Sequence, residues 1–234
     1  MKAALCLVIA AALTSTSLGD DPEWENPHRT QVAFLFEWIE LDHREANKLI
    51  RKHATQVRAG ALRKDLGEMV KKAKAQIVQT AYLITKSGQR AKTQAIDYHI
   101  YPTEYDPPEL LMEIDKNTRP GELIITPANP TSFDSRSIGT TVEIEPVISK
   151  DGKFVELNLA PEIVTRLADR GVSPNDAQQV PKPLAPIKHP AIYVMKLHTQ
   201  LTLAAGDFTL AGVFTPSGKS DKRVMLMIHT KIRN

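Results

Sequence analysis

Gln31-Val32-Ala33-Phe34-Leu35-Phe36-Glu37-Trp38-Ile39-Glu40-Leu41 is the stretch on which the fold turns. At a period of two, Phe34, Phe36, Trp38 and Glu40 fall on one side and Ala33, Leu35 and Ile39 on the other, so both sides carry apolar groups. A strand of this kind belongs in the interior of a sheet that is covered above and below. The rest of the chain must supply that cover.

The first cover follows at once. Asp42 with Glu45 three residues on has the spacing of a capping box and predicts a helix start. Ala46, Leu49, Ile50, His53 and Val57 then recur at helical spacing, and after Gly60 so do Leu62, Leu66, Met69, Val70, Ala73 and Ile77. Lys71, Lys72 and Lys74 crowd the end of this second helix, where cations suit the helix dipole. From Gln76 the period changes to two, and the Lys86-Ser87-Gly88-Gln89 turn predicts a hairpin with the strand Arg90 to Tyr101. Pro102, Pro107, Pro108, Pro120, Pro127 and Pro130 mark 102–133 as a proline-rich loop, with a short strand at Leu123 to Thr126. A second hairpin pairs Thr140 to Ile148 with Phe154 to Leu159 about Asp151-Gly152, and Pro146 calls for an open edge or a bulge in its first strand. Another proline-rich stretch, Val172 to Pro190, leads to three last strands, Ile192 to Leu203, Phe208 to Phe214 and Arg223 to Ile232. Gly206-Asp207 and Ser217-Gly218 are their turns. The expected class is α+β. Residues 20–101 form a strand, two helices and a hairpin, and residues 134–234 an antiparallel β region whose expected form is an immunoglobulin-like sandwich.

Composition narrows the function classes. The 234 residues are 42% hydrophobic and 24% charged, with 30 Lys and Arg against 27 Asp and Glu, a formal charge of +3. That excludes a disordered tail, a collagen-like repeat and a disulfide-stapled miniprotein. A small excess of cations spread along the chain also argues against nucleic acid as a partner. Met1-Lys2, the apolar run Ala3 to Leu13 and the small residues up to Gly19 have the form of a secretory signal peptide, residues 1–19, cut after Gly19. The run is too short to span a bilayer. The single cysteine, Cys6, lies inside it, so the exported chain is expected to carry no thiol, disulfide or thiolate metal site.

The usual catalytic motifs are absent. The sequence has no Gly-x-Ser-x-Gly elbow, His-Glu-x-x-His pair or Gly-x-Gly-x-x-Gly loop. Gly218-Lys219-Ser220 resembles the end of a phosphate loop, but Val213 stands where the first glycine should be and a strand follows in place of a helix. The histidines, at positions 28, 43, 53, 99, 189, 198 and 229, include no pair at i, i+2 or i, i+4, so no metal site is expected. Glu143 and Glu145 share a strand face as paired carboxylates would, and are assigned to the solvent side of that strand. The alternation Tyr193, Met195, Leu197, Leu201 and Leu203 fits a lipid-facing strand, but a soluble sandwich is favoured. Arg58, Arg63, Lys64, Lys71, Lys72 and Lys74 could touch anionic lipid or another acidic surface, and a solvated helix face interleaved with Asp65 and Glu68 is the preferred assignment. No catalytic, cofactor-binding or metal-binding residue and no cofactor is assigned, and no enzyme activity is expected.

Several segments, in order, resemble one family. Thr85 to Ala91 (Thr-Lys-Ser-Gly-Gln-Arg-Ala), Tyr101 to Pro108 (Tyr-Pro-Thr-Glu-Tyr-Asp-Pro-Pro), Gly139 to Ile148 (Gly-Thr-Thr-Val-Glu-Ile-Glu-Pro-Val-Ile), Asp151-Gly152 and Val155 to Leu159 are similar to the conserved domain of bacterial secretins. These are the ring-forming outer-membrane components of type II secretion and type IV pilus machines. Thr199 to Leu203, Gly206, Leu210-Ala211-Gly212 and the closing apolar strand continue the likeness, which covers roughly residues 76 to 232. Where a secretin carries a long gate insert with a Pro-Leu-Leu-Gly-like repeat, this chain has only Thr215 to Lys222. Between Asp20 and Gln76 there is no room for the family's tandem N-terminal domains. The resemblance therefore implies a shortened relative and does not carry over channel activity. It implies an exported, non-enzymatic protein of the periplasm or outer membrane that meets protein partners in a pilus-like or secretion-like assembly. Homo-oligomerisation and peripheral contact with the outer membrane are compatible with it. The alternatives are an oligomeric outer-membrane secretin-type pore and a secreted hydrolase or carbohydrate-binding protein.

Overall fold

The computed structural model describes residues 30–53, 58–107, 109–111, 124–125, 128–167, 170–171 and 188–233. The expected signal peptide with Cys6, His28 and most of the Val172 to Pro190 stretch lie outside them. In chain order the elements are β1 (Gln31–Asp42), α1 (His43–His53), α2 (Gly60–Lys71), β2 (Ala75–Lys86), β3 (Ala91–Asp106), β4 (Leu110–Leu111), β5 (Ile124–Ile125), β6 (Asn129–Ile148) and β7 (Phe154–Arg166). They continue with β8 (Arg170–Gly171), β9 (Lys188–His189), β10 (Ile192–Lys196), β11 (Thr199–Ala204), β12 (Phe208–Phe214) and β13 (Lys222–Arg233). The class is α+β: two helices and antiparallel strands in two principal sheets.

β1 is central, as its two apolar faces require. It lies between β13 and β2 in a sheet ordered β12-β13-β1-β2. One face, with Val32, Phe34, Phe36 and Trp38, joins Val224, Leu226 and Ile228 of β13 against Val142 and Ile144 of β6, Val155, Leu157 and Leu159 of β7 and Leu203 of β11. This is the interior of a sandwich whose second sheet is ordered β10-β7-β6-β3, with β11 also on β7. The other face is covered by the helices, Ile39, Leu41, Met225 and Met227 packing with Ala46, Leu49, Leu62 and Leu66. The molecule is thus a helix layer, a sheet and a second sheet, with two apolar seams between them.

Local chemistry sets the helix ends. The Arg44 amide donates to Asp42 Oδ1 at 2.9 Å and, first among several causes, holds the Asp42 carboxyl below its usual value. α2 stops at Lys71, four residues short of β2, and Ile77 belongs to the strand. The stop is a Schellman turn: Lys74 N donates to Met69 O at 2.9 Å and Ala73 N to Val70 O at 3.0 Å, with Ala73 at φ 53°. Beneath α2, Arg63 donates from Nε and Nη2 to the buried Glu37 carboxylate of β1 at 2.6 and 2.9 Å. Its guanidinium also lies 5.5 Å from the Phe208 ring centroid.

Three expectations are corrected. β2 and β3 are not a hairpin: β2 pairs with β1 and β3 with β6, and the Ser87-Gly88 turn carries the chain between sheets. The turn is held from both sides, by Ser87 N to Thr30 O at 3.4 Å and Gly88 N to Pro146 O at 2.7 Å. The strand expected from Ile192 to Leu203 is two, β10 and β11, because Pro161 of β7 has no N–H to continue the ladder opposite Leu197-His198. Residues 102–106 and 129–133, expected as loop, are strand: beyond Gly139 the β6 register has no β7 partner, and β3–β6 runs on as a two-stranded ribbon in which Pro102 and Pro130 interrupt no inner ladder. The open edge expected at Pro146 is present locally: β6 runs between β3 and β7, but its pairing with β3 ends at Ile144, and the Pro146 carbonyl, with its nitrogen on the same side, faces the 86–89 turn.

Candidate functional site

The exposed side of the second sheet gathers the sequence's one pair of candidate carboxylates. Glu143 and Glu145 stand on the outward side of β6, alternating with the buried Val142 and Ile144. Arg90 approaches both, with Nη1 3.3 Å from Glu143 and Nη2 3.7 Å from Glu145. Asn158 and His198 join them around an open hollow of about 330 Å³. Both carboxylates are a third or more exposed, so water screens them, as their assignment to the solvent side anticipated. A cationic guanidinium between two solvated acids leaves neither placed as a proton donor in a dry site.

His43, His53, His99 and His229 do not converge on this hollow. His43 Nδ1 is 3.3 Å from the Asp221 carbonyl oxygen, His53 is buried at the α1–α2 contact with Nε2 3.1 Å from Asp65 Oδ2, His99 stacks on Tyr101, and His229 lies against Phe208. Among the described residues, no group of three His, Cys, Asp or Glu is placed to hold a metal ion. No helix there is long and apolar enough to cross a membrane.

The feature that sequence reasoning missed is the edge at β3. This 16-residue strand pairs with β6 on one side, and no described strand lies on the other. The opposite margin of the same sheet is made by β10 and β11. Down one face of β3 the side chains change character. Lys92 and Gln94 lie opposite Glu143 and Thr141, and Gln94 Nε2 donates to Thr141 Oγ1 at 3.3 Å. Further along, Ile96, Tyr98 and Ile100 occupy the same face, with Phe133 on β6 opposite Pro102. Tyr98 is 72%, Ile100 66% and Phe133 58% exposed. The period-two pattern of Ile96, Tyr98 and Ile100 was visible, but taking β3 as the partner of β2 hid both its true partner and its open edge.

Gly139 sits where this ribbon leaves the sandwich. It has φ 134°, and a Cβ there would lie 2.1 Å from the Ala95 carbonyl oxygen, so only glycine lets the two backbones pass this closely. At the other end of the fold, β12 joins β13 through residues 215–221 alone.

No family model matches the chain, and no curated protein matches it. Among solved structures, it is similar to the Salmonella SPI-1 type III secretion injectisome secretin InvG, with 10% identity, 88% of this chain and 63% of that chain covered, and a TM-score of 0.40. It is likewise similar to the type II secretion system secretin GspD of E. coli K12, at 9% identity over 88% and 48% of the two chains with a TM-score of 0.40. A third likeness is to the Klebsiella pneumoniae type II secretion system outer membrane complex of PulD, PulS and PulC HR domain, at 11% identity over 88% and 38% with a TM-score of 0.40. The chain thus spans less than two thirds of the length of each of these secretin structures.

Proposed function

We propose that this chain is a non-enzymatic subunit of a cell-envelope assembly of the secretion or pilus type, exported to the periplasm or outer membrane, and that it works by strand-to-strand contact with protein partners. The observation that carries the proposal is the 16-residue edge of β3, along which no described strand pairs. A row of unpaired N–H and C=O groups on a long strand is a template for another strand. The ordered resemblance of residues 76 to 232 to secretin segments supports the same direction. Doubling Tyr98→Lys with Ile100→Lys tests it. Both side chains point into solvent, so the fold should keep its stability, while large complexes recovered from envelope extracts should fall to the mass of a single chain. Complexes of unchanged size would refute the edge as the contact.

A second arrangement is favoured by one further observation. The sheet has β3 at one margin and β10 and β11 at the other, so identical copies joined margin to margin would close into a shared barrel, with Tyr98, Ile100 and Phe133 forming an apolar band on one face. Release of the chain by salt or osmotic shock supports the peripheral subunit. Rings that survive detergent support the barrel.

A further inference from the structure

The helix layer carries a charge excess that neither the fold nor the β3 edge uses. Between His43 and Lys74 stand ten of the chain's 30 Lys and Arg and only three of its 27 Asp and Glu, so the remainder of the molecule is net acidic. The inward side of both helices is apolar and seals the first sheet. On the outward side, Arg44, Lys48 and Arg51 follow one another along α1 at i, i+4 and i+7, and Lys64 and Lys71 run along α2 with Lys72 capping its end. All six are exposed.

The two acids on α2 do not neutralise this surface. Asp65 accepts from Lys52 Nζ at 2.7 Å and is within 3.1 Å of His53 Nε2, and these two contacts hold its carboxyl below the usual value. Glu68 accepts from Lys71 at 2.9 Å, which lowers it in the same sense, and Lys72 and Lys64 act on the same carboxylate. Arg63 is spent on Glu37. Arg44, Lys48, Arg51, Lys64 and Lys72 have no ion pair with any described carboxylate. The surface also lacks what a protein interface needs. Ala61 is the one exposed apolar side chain on the described outward positions of the helices, and the hollow at Glu143 lies on the far side of the molecule. Lysine-rich, anchor-free surfaces are poor protein interfaces, whereas lipid headgroups ask only for charge.

We propose that the outward face of α1 and α2 is a docking surface for an anionic lipid leaflet, on which the protein lies with its helix layer against the phosphates. The purified full chain should sediment with phosphatidylglycerol-rich vesicles, should ignore phosphatidylcholine vesicles, and should be released as salt is raised from about 0.05 to about 0.5 M. Each lysine removed from such a surface weakens attachment about fivefold, so Lys48→Gln, Lys64→Gln and Lys72→Gln together should weaken it about a hundredfold. A control with the same loss of charge, Lys86→Gln, Lys150→Gln and Lys153→Gln, places the change on exposed positions away from the helices and off β3 and should bind as the parent does. Equal sedimentation with both lipids, equal loss in the two triple variants, or no binding to anionic vesicles at low salt overturns the proposal. Thermal unfolding of both variants, unchanged from the parent, shows that binding and not folding has been read. Because neither triple variant touches Tyr98 or Ile100, complex size in envelope extracts reports on the β3 edge independently.

Discussion

Replacing Arg63 by methionine leaves the Glu37 carboxylate, 8% exposed, beneath α2 with no cation beside it. The native pair is bidentate, at 2.6 and 2.9 Å, and the acid raises the Arg63 pKa above its ordinary value, chiefly through that hydrogen bond. Two charges about 4 Å apart attract by about 4 kcal/mol at an effective dielectric near 20. Stranding one member of a buried pair costs about 3–5 kcal/mol. Arg63 is itself 22% exposed, so water can relieve part of the damage, and the lower figure of about 3 kcal/mol is the expectation. For a chain of this size that is about 9 °C in melting temperature. Urea unfolding followed by tryptophan fluorescence gives the free energy by linear extrapolation, Trp38 being buried in the sandwich interior. The partner variant is decisive. Glu37→Met with Arg63→Met removes both charges, and its stability should return to within about 1 kcal/mol of the parent, because well-packed apolar groups replace a buried ion pair at little cost. A single variant that costs less than about 1 kcal/mol, or a double variant no better than the single one, would refute the reasoning.

Other outcomes follow from the same structure. Thr230 is fully buried with no hydrogen-bond partner for Oγ1 among the described residues, so Thr230→Val should raise stability by about 1 kcal/mol in the same urea assay. Ala73→Gly relieves a left-handed residue at the α2 stop and should stabilise by about 1 kcal/mol, the change expected where a Cβ is removed at positive φ. Gly139→Ala drives a Cβ onto the Ala95 carbonyl and should cost about 3 kcal/mol, measured as a lowered denaturation midpoint. Asp65 has its folded pKa pushed below the ordinary 3.8 by Lys52 and then His53, so its stabilisation is present above that value and is lost as acid titrates the folded form below it. The Asp65→Asn variant should therefore lose less stability than the parent on acidification below pH 3.8, as followed by circular dichroism.

Periodicity carried what depends on a face. The two-sided run from Val32 to Leu41 announced a central strand, and the Asp42 cap and the apolar stripes of both helices announced their cover. It could not carry what depends on a partner. Nothing in Thr85 to Ala91 distinguishes a hairpin turn from a crossing between sheets, because both want a glycine at positive φ, and Gly88 has φ 74°. Pro102 and Pro130 read as loop because proline is excluded only from ladders that need its N–H, and which ladders exist is a tertiary fact. Ala73 gave no stop signal, since the residue that suits a left-handed position is glycine. Of the candidate site residues, Glu143 and Glu145 lay where alternation put them, while the buried acid Glu37 and its distant Arg63 left no trace in local pattern.

β1 and β13, the first and last described strands, lie side by side at the centre of one sheet. The register joins Gln31 to Arg233 and Asp42 to Lys222, so the central seam cannot form until nearly the whole chain is free. A polypeptide emerging from a ribosome would hold Phe34, Phe36 and Trp38 unmatched until Lys222–Arg233 arrives. Such non-local closure makes for slow folding and a long exposed interval. The topology thereby sets a clock: the sandwich interior closes only once Lys222–Arg233 is free to pair, so a cut ahead of β13 is a defect of the core and not of a tail.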